Sequence, residues 1–211
     1  MKLGKEIKEM ISAGIVGTGL YVPEEVRTND WFKKLNMLPT DDIFDKSGVK
    51  ERRICAKGEM SSDMEAKALL SAVENAGIDI EDIDFIFNGP VINEAIAPGH
   101  GPAVKHKAGA KNAATFTVEG TCSSLISQIA TAWGMISTGT YKTIACVVGC
   151  NWTLAADYTE KTCMIMGDGA AAVIMQPVSP GKGFLAIEGA HKLQIEYNIS
   201  MLQSHCSMRI L

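Results

Sequence analysis

The chain lacks paired cysteines, clustered positive charge and any long uninterrupted hydrophobic run. Its six cysteines include no CxxC pair and are too sparse for a disulfide scaffold, which favours a reducing cytoplasm. Lysine and arginine are scattered and the net charge is only -4, so we expect no nucleic-acid-binding surface. Glutamates interrupt the N-terminal lysines, and Gly17 and Gly19 break the apolar run that follows. We therefore expect no signal peptide, no membrane span and a soluble protein.

The first glycines also lack the order that a dinucleotide-binding site needs. Gly14, Gly17 and Gly19 read G-x-x-G-x-G and lead into the segment Tyr-Val-Pro. A Rossmann fingerprint reads G-x-G-x-x-G and opens a helix whose N-terminus holds pyrophosphate. We therefore expect no nucleotide site at this point.

Strand and helix patterns alternate along the rest of the chain. Ser62 and Glu65 have capping-box spacing and open a predicted helix that runs to about Asn75, with Gly77 as its stop. Strands are predicted over residues 84–88, 113–118 and 143–148. This alternation predicts an α/β layered fold with a largely parallel sheet. With 46% hydrophobic residues and no linker, the chain can form one sizeable core or two small domains.

Cys122 lies where a β-rich segment turns into the most apolar helix of the chain. From Ser123 to Thr138, apolar residues recur at helical spacing without a charge between them, which predicts a buried helix. The cysteine therefore falls at or just before a helix N-terminus, which Thr121 or Ser123 can cap. Unpaired N–H groups and the helix dipole favour negative charge there and lower the pKa of a thiol. The position suits a cysteine nucleophile.

A structural interpretation competes with this one. Free cysteine is among the most buried residue types and often fills a core as a small hydrophobe. Its position beside a helix start leaves both interpretations open for Cys122, whereas the other five cysteines fit the structural one.

Several blocks along the chain together resemble one family. The opening block GTGLYVPEEVRTN at 17–29 is followed by SGVKERRI at 47–54, the Cys122 turn, CVVG at 146–149 and MGDGAAA at 166–172. In order and spacing, from about residue 12 to 190, these blocks resemble the β-ketoacyl-acyl-carrier-protein synthase III branch of the thiolase-like condensing enzymes. The resemblance implies an α/β/α layered fold with a largely parallel sheet around a buried central helix, as one of the family's two similar halves.

The same resemblance places Cys122 at the position of the family's acyl-accepting cysteine. It implies that Cys122 takes an acyl group from a thioester, after which a malonyl thioester loses carbon dioxide and attacks the acyl-enzyme. Backbone N–H groups at the turn would help to stabilise the oxyanion. The substrates would be carried on phosphopantetheine, as acyl-coenzyme A or acyl-carrier protein, in fatty-acid or polyketide-type synthesis. No separate cofactor or metal is implied, and a homodimer is expected.

Four further residues are candidate substrate contacts by this resemblance. Lys46, Lys50 and Arg52 match a basic segment at the family's phosphopantetheine entrance, where they would suit phosphates. A solvated surface is the alternative interpretation of these charges. Ala97 stands where the family often has an aromatic residue before a proline, so its small side chain predicts room for a longer or bulkier acyl group. The tryptophan expected upstream of the basic segment is absent, which weakens the case for free coenzyme A as donor.

Other polar residues are predicted to have structural or surface roles. Gly167, Asp168 and Gly169 suit a tight turn, with a structural role for Asp168. His100 and His106 are near lysines and are predicted to be ordinary surface residues.

The resemblance divides the chain into residues 1–190, an N-terminal condensing-enzyme half, and an unmatched tail over 191–211. The family's catalytic histidine and asparagine belong to its second half, and neither His191 nor His205 is given that role. Three hypotheses stay open: the nucleophile-bearing half of a condensing enzyme in a truncated chain, a partner-completed or non-catalytic subunit, or an acyltransferase or thioesterase that uses Cys122 without decarboxylation. The first is favoured because the blocks follow the family order.

Overall fold

The computed structural model describes residues 10–34, 42–95, 99–158 and 160–186. The strands in these ranges are β1 (Ala13–Tyr21), β2 (Glu25–Thr28), β3 (Glu51–Ile54), β4 (Phe85–Pro90), β5 (Ala114–Thr117), β6 (Ile144–Asn151) and β7 (Asp168–Pro177). The helices are α1 (Asn29–Lys33), α2 (Asp42–Ser47), α3 (Ser61–Ala76), α4 (Gly101–Ala108) and α5 (Ser124–Ser137). The predicted tail over 191–211 lies outside the described residues.

Five strands form one sheet in the order β1-β7-β6-β4-β5. Strand β4 pairs in parallel with both β5 and β6, whereas β7 is antiparallel to β6 and to β1. Four of the five strands therefore point in one direction, which confirms the prediction of a largely parallel sheet. Strands β2 and β3 form a separate antiparallel pair.

Helices cover both faces of the sheet and give two apolar cores. On one face α3 and α4 pack against the sheet through alanines, valines and leucine, among them Ala68, Leu69 and Val104. On the other face α5 contributes Ile129, Ala132 and Ile136. This arrangement confirms the predicted α/β/α layering. In the described part of the chain, no helix has the length and apolar character needed to cross a membrane.

Two of the early glycines allow α3 to approach β1 closely. A Cβ at Gly17 would lie 2.6 Å from the Ala72 carbonyl oxygen, and one at Gly19 would collide with the Ala68 carbonyl oxygen. Only glycine permits this contact, because any side chain would displace the helix. These glycines therefore serve packing between a strand and a helix.

Helix α5 is buried along one face only. Ile129 and Ile136 lie in the core, whereas Ile126 on the same helix is 64% exposed. The predicted burial of this helix is therefore confirmed for its sheet-facing side, and an apolar side chain is left at the surface on another side.

The start of α3 differs in detail from its prediction. The capping box was predicted at Ser62 and Glu65, but it is formed by Asp63, whose carboxylate accepts a hydrogen bond from the Met60 backbone N–H at 2.9 Å. Glu65 instead faces inward and is fully buried. At the other end Gly77 adopts a left-handed conformation with φ 67°, which confirms the predicted helix stop.

Candidate active site

Cys122 lies in a single 3-10 turn, Thr121–Ser123, that joins β5 to the first residue of α5. Its thiol is exposed, whereas Cys55, Cys146 and Cys163 are buried. An exposed thiol does not fill a core, so the structural interpretation of Cys122 is wrong. The position next to the α5 N-terminus is the one predicted from the apolar periodicity.

The turn is held in an unusual backbone conformation. Among the described residues, Thr121 is the non-glycine residue with a left-handed φ, at 52°. Its backbone N–H donates to the Glu119 carboxylate at 2.7 Å. A β-branched residue in this region costs free energy and persists where its surroundings fix it, which is common at functional sites.

The hydroxyl that stabilises the turn belongs to Ser124. It accepts a hydrogen bond from the Gly120 N–H and donates one to the Thr121 carbonyl, each at 2.9 Å. Ser123 flanks the helix without a side-chain cap, and its hydroxyl donates back to the Gly120 carbonyl. The predicted cap from Thr121 or Ser123 is therefore wrong, since both side chains bond within the preceding turn.

Cys122 borders a cavity of about 460 Å³ at the ends of the parallel strands. The wall is built from the ends of β4 and β6, the start of β7 and the first turn of α5: Gly89, Val91, Thr121, Leu125, Val148, Gly149, Cys150, Gly167, Asp168, Gly169, Ala170 and Ala171. Small and apolar residues dominate this wall. Such a cavity beside an exposed thiol can admit an acyl chain.

Asp168 has the structural role that was predicted, although not in a turn. It begins β7, and its carboxylate accepts hydrogen bonds from the Cys55 N–H at 2.8 Å, the Thr153 N–H at 3.0 Å and the Thr153 hydroxyl. Neither Gly167 nor Gly169 has a positive φ, so the predicted tight turn is wrong. The carboxylate of this cavity-wall residue instead joins the start of β7 to the segments of Cys55 and Thr153.

The other thiols near the cavity are held in their neutral form. Cys150 lines the cavity, and burial raises its pKa to about 12. Burial likewise raises the pKa of Cys55 to about 11. Both thiols therefore stay protonated near neutral pH, which leaves Cys122 as the exposed thiol of this site.

Sequence comparison connects this site with a known family. The profile of 3-oxoacyl-[acyl-carrier-protein (ACP)] synthase III matches residues 116–191, a range that includes Cys122, Asp168 and the cavity-wall residues other than Gly89 and Val91. The β-ketoacyl-[acyl-carrier-protein] synthase III of Geobacillus kaustophilus is 37% identical over 197 residues. The corresponding protein of Desulfitobacterium hafniense is 36% identical over 182 residues. Over more than four fifths of its length, this chain is therefore similar to β-ketoacyl-acyl-carrier-protein synthase III proteins.

Solved structures of the synthase III family have the same fold. The 3-oxoacyl-[acyl-carrier-protein] synthase III of Aquifex aeolicus superposes with a TM-score of 0.74 and 28% identity, covering 79% of this chain and 54% of that one. The priming β-ketosynthase of the R1128 polyketide pathway gives a TM-score of 0.77 at 24% identity, which supports the fold alone.

The match to the synthase III family extends over only part of the relatives. The Geobacillus alignment covers 89% of this chain and 63% of the relative, and the Desulfitobacterium alignment covers 85% and 54%. The chain thus spans between about half and two thirds of the length of these curated synthases.

The basic segment expected at the synthase III entrance divides into exposed and buried parts. Lys46 and Lys50 are exposed, and the Lys50 ammonium lies 5.2 Å from the Phe44 ring centroid. Arg52 is only 4% exposed, and its guanidinium donates to the Met164 carbonyl and to the Asn29 side chain. These inward contacts do not support the predicted substrate role of Arg52, because its charge is used to join β3 to neighbouring segments. Ala97 lies outside the described residues.

A buried acid–base pair behind the cavity escaped the sequence interpretation. The Nε2 atom of His100 lies 3.2 Å from a carboxylate oxygen of Glu65, and both side chains are fully enclosed. Glu65 also lies against Gly149, a residue of the cavity wall, because a Cβ at Gly149 would collide with a Glu65 carboxylate oxygen. Burial raises the pKa of Glu65, while His100 and the Ser61 hydroxyl favour its ionised form. The prediction that His100 is a surface residue is therefore wrong.

Proposed function

We propose that this chain carries the acyl-accepting cysteine of a condensing enzyme that extends an acyl thioester with malonyl-acyl-carrier protein. The observation that carries the proposal is the exposed Cys122 thiol at the N-terminus of α5, facing a mainly apolar cavity, in a chain that is similar to synthase III proteins. The curated relatives bear the name of β-ketoacyl-acyl-carrier-protein synthases. A product of that kind requires an acyl group and a two-carbon extender.

The first half-reaction follows from the chemistry of the thiol. The Cys122 thiolate attacks the carbonyl carbon of an acyl thioester, a tetrahedral oxyanion forms, and the bond to the donor sulfur breaks. The donor thiolate leaves and takes up a proton. The product is an acyl group in thioester linkage to Cys122. The N–H groups of Gly120, Thr121, Ser123 and Ser124 already have acceptors within or beside the turn, so the proposed donor to the oxyanion is the Cys122 backbone N–H. One such donor contributes about 3 to 4 kcal/mol in other enzymes.

The second half-reaction needs groups beyond the cavity wall. Malonyl-acyl-carrier protein loses carbon dioxide, and the resulting carbanion attacks the acyl carbon and releases the Cys122 thiolate. The enolate-like intermediate requires hydrogen-bond donors. Among the described residues, the cavity lining contains no histidine or asparagine. This observation favours a second candidate function, in which this chain alone accepts an acyl group on Cys122 but does not condense it with malonyl-acyl-carrier protein.

Donor recognition is proposed to use the exposed lysines. Lys46 and Lys50 lie on one short segment, α2 and the residues that follow it, and both can meet phosphate oxygens of a phosphopantetheine arm. We propose a carrier protein as the main donor, since residues 40–44, just before the lysines, contain no tryptophan that could stack on adenine. We propose that the small side chain of Ala97 leaves room for a longer or bulkier acyl group. Ala97→Phe would then narrow the acyl pocket and shift the preference of the enzyme toward short acyl chains.

A homodimer in a reducing cytoplasm completes the proposal. Strand β5 is at one end of the sheet order, and Phe116 on it is 62% exposed. An unpaired edge with an exposed aromatic residue suits pairing with a second copy. The described cysteines are free thiols, as a reducing compartment would keep them.

Product analysis separates the candidate functions. The purified chain is incubated with a series of acyl thioesters, with and without malonyl-acyl-carrier protein, and both the enzyme and the products are weighed by mass spectrometry. A condensing enzyme gives a 3-ketoacyl product and released carbon dioxide. An acyl adduct without malonyl consumption indicates a partial or partner-dependent enzyme, and acyl hydrolysis indicates a thioesterase. Absence of both adduct and product would leave a non-catalytic subunit.

A further inference from the structure

Gln128 is a buried amide on the side of α5 that packs against the sheet, next to Ile129 and Ala132. It lies on α5 six residues after Cys122, and its side chain is 0% exposed. Burial of an amide costs free energy unless hydrogen bonds compensate for it. Its contacts are therefore informative, because an alanine or leucine would suit the helix face without this cost.

The Gln128 side-chain N–H group contacts the ends of two different strands. Its Nε2 atom lies 3.2 Å from the Val147 carbonyl oxygen in β6 and 3.5 Å from the Val118 carbonyl oxygen just after β5. Strand β4 lies between β5 and β6 in the sheet. The amide therefore bridges the two strands that flank β4, on the α5 side of the sheet.

The bridge lies where the regular strand pairing ends. The last paired residues of β4 and β5 are Asn88 and Thr117, and the Val118 N–H still donates to the Asn88 carbonyl at 2.8 Å. Beyond that point the Val118 carbonyl has no β4 partner in the ladder, and Gln128 supplies the donor. Backbone carbonyl groups away from water are rarely left unpaired, and for the half-buried Val118 this 3.5 Å contact supplies the donor.

Gly89 makes room for the bridge. A Cβ at Gly89 would lie 2.7 Å from the Gln128 Nε2 atom and 2.6 Å from the Val118 carbonyl oxygen. The strand residue below the amide thus has no side chain, and the amide can cross the β4 backbone. Gly89 and Gln128 together hold the segment just before the Cys122 turn against the strand ends. We call this pair of residues the Gln128 clamp.

We propose that Gln128 is a positioning residue that fixes the Cys122 turn relative to the strand ends. The inference rests on the proposed role of Cys122 as acyl acceptor. Val118 is four residues before Cys122, and Gln128 is on the helix that begins two residues after it. The clamp therefore holds both ends of the turn, and it keeps the thiol and nearby N–H groups in register with the cavity. Small displacements of such groups can slow a reaction by about 100-fold.

The test compares variants that remove the clamp with a control on the same helix. Gln128→Met keeps the side-chain length without the donor, and Gln128→Asn keeps an amide that is one methylene shorter. The control is Thr131→Val, which removes the hydroxyl contact of an exposed residue with the Ser127 carbonyl on α5. Amide hydrogen exchange over residues 118–124, melting temperature and the rate of Cys122 acylation are measured for each variant.

The clamp predicts a local effect at the turn. In both Gln128 variants, exchange over 118–124 should rise by about five-fold relative to the rest of the sheet, the effect of losing roughly one net hydrogen bond. Cys122 acylation should slow by about ten-fold or more. Thr131→Val should change neither. Uniformly faster exchange, or unchanged exchange over 118–124, would overturn the inference.

The exchange measurement needs no substrate, so the two proposals fail separately. If the unmodified chain takes no acyl group but the Gln128 variants loosen the turn, the acyl-transfer proposal fails and the clamp stands. If acylation occurs and is indifferent to Gln128, the clamp fails and acyl transfer stands. If Gln128→Met does not fold, Gln128→Asn gives the same comparison.

Discussion

At the scale of single residues, accessibility separates the thiols of the site. Cys122 is exposed, whereas Cys150 is partly buried and burial raises its pKa to about 12. Cys55 is buried with a pKa of about 11. We therefore expect iodoacetamide at neutral pH to label Cys122 before Cys55, Cys146 and Cys150. Peptide mapping by mass spectrometry checks this order, and equal labelling of Cys150 and Cys122 would contradict it.

The Glu65–His100 pair predicts a pH effect on stability. Burial raises the Glu65 pKa, so the folded chain binds this proton more tightly than the unfolded chain does. Its contribution to stability is present at low pH and is lost as the pH rises from the ordinary carboxyl range through the raised pKa. Glu65→Gln mimics the protonated form at every pH.

Thermal unfolding as a function of pH tests this expectation. The loss of melting temperature between acidic and neutral pH should be smaller in Glu65→Gln than in the unmodified chain. Glu74→Gln, a change of an exposed residue on the same helix, should leave the pH dependence unaltered. An identical pH slope in Glu65→Gln and the unmodified chain would show that this carboxyl does not contribute.

At the scale of elements, local patterns predicted most boundaries. Helix α5 was predicted over 123–138 and is observed at Ser124–Ser137, because its apolar spacing and lack of charge act within one segment. The stop of α3 at Gly77 was likewise readable, since only glycine adopts the left-handed conformation without strain.

Contacts between distant segments could not be predicted in this way. Arg52 was predicted to contact the substrate, with a solvated surface as the alternative, but its guanidinium donates to the carbonyl of Met164, which is 112 residues away. His100 was taken as a surface residue, and its partner Glu65 was assigned to a helix cap. Residue type and local spacing do not show which side chains the sheet topology brings together. The resemblance to the synthase III family led to Cys122 as the proposed nucleophile, whereas the contacts of Gln128 with the strand ends are visible only in the structure.

Two glycine-to-alanine changes should have opposite effects on stability. Gly77→Ala forces a Cβ into a left-handed conformation and should lower the free energy of unfolding by about 1 kcal/mol. Gly134→Ala lies inside α5 with no neighbour within 4 Å of the new Cβ, and should raise it by about 0.5 to 1 kcal/mol. Urea unfolding measures both changes. The same sign for both variants would contradict the helix boundaries described above.

At the scale of the whole molecule, β5 is the last strand at one end of the sheet in the described part of the chain. Phe116 on this strand is 62% exposed, and Ile126 on the following helix is 64% exposed. Exposed apolar side chains of this kind favour association with another protein surface. The proposed homodimer would cover the edge strand and extend the sheet.

The oligomeric state tests this part of the account. Phe116→Lys places a charge on the edge strand and should convert the dimer to a monomer in light-scattering measurements. Leu70→Lys, which changes an exposed apolar residue on α3, should leave the dimer intact. A dimer that persists in Phe116→Lys would show that the copies meet elsewhere.

The central claim is that Cys122 is an acyl-accepting nucleophile. The most direct measurement is the intact mass of the chain after incubation with acyl-carrier-protein thioesters, followed by peptide mapping of the adduct. The account predicts a single acyl adduct on Cys122, its loss on treatment with hydroxylamine, and no adduct in Cys122→Ser. Absence of any adduct, or an adduct on another residue that persists in Cys122→Ser, would contradict it.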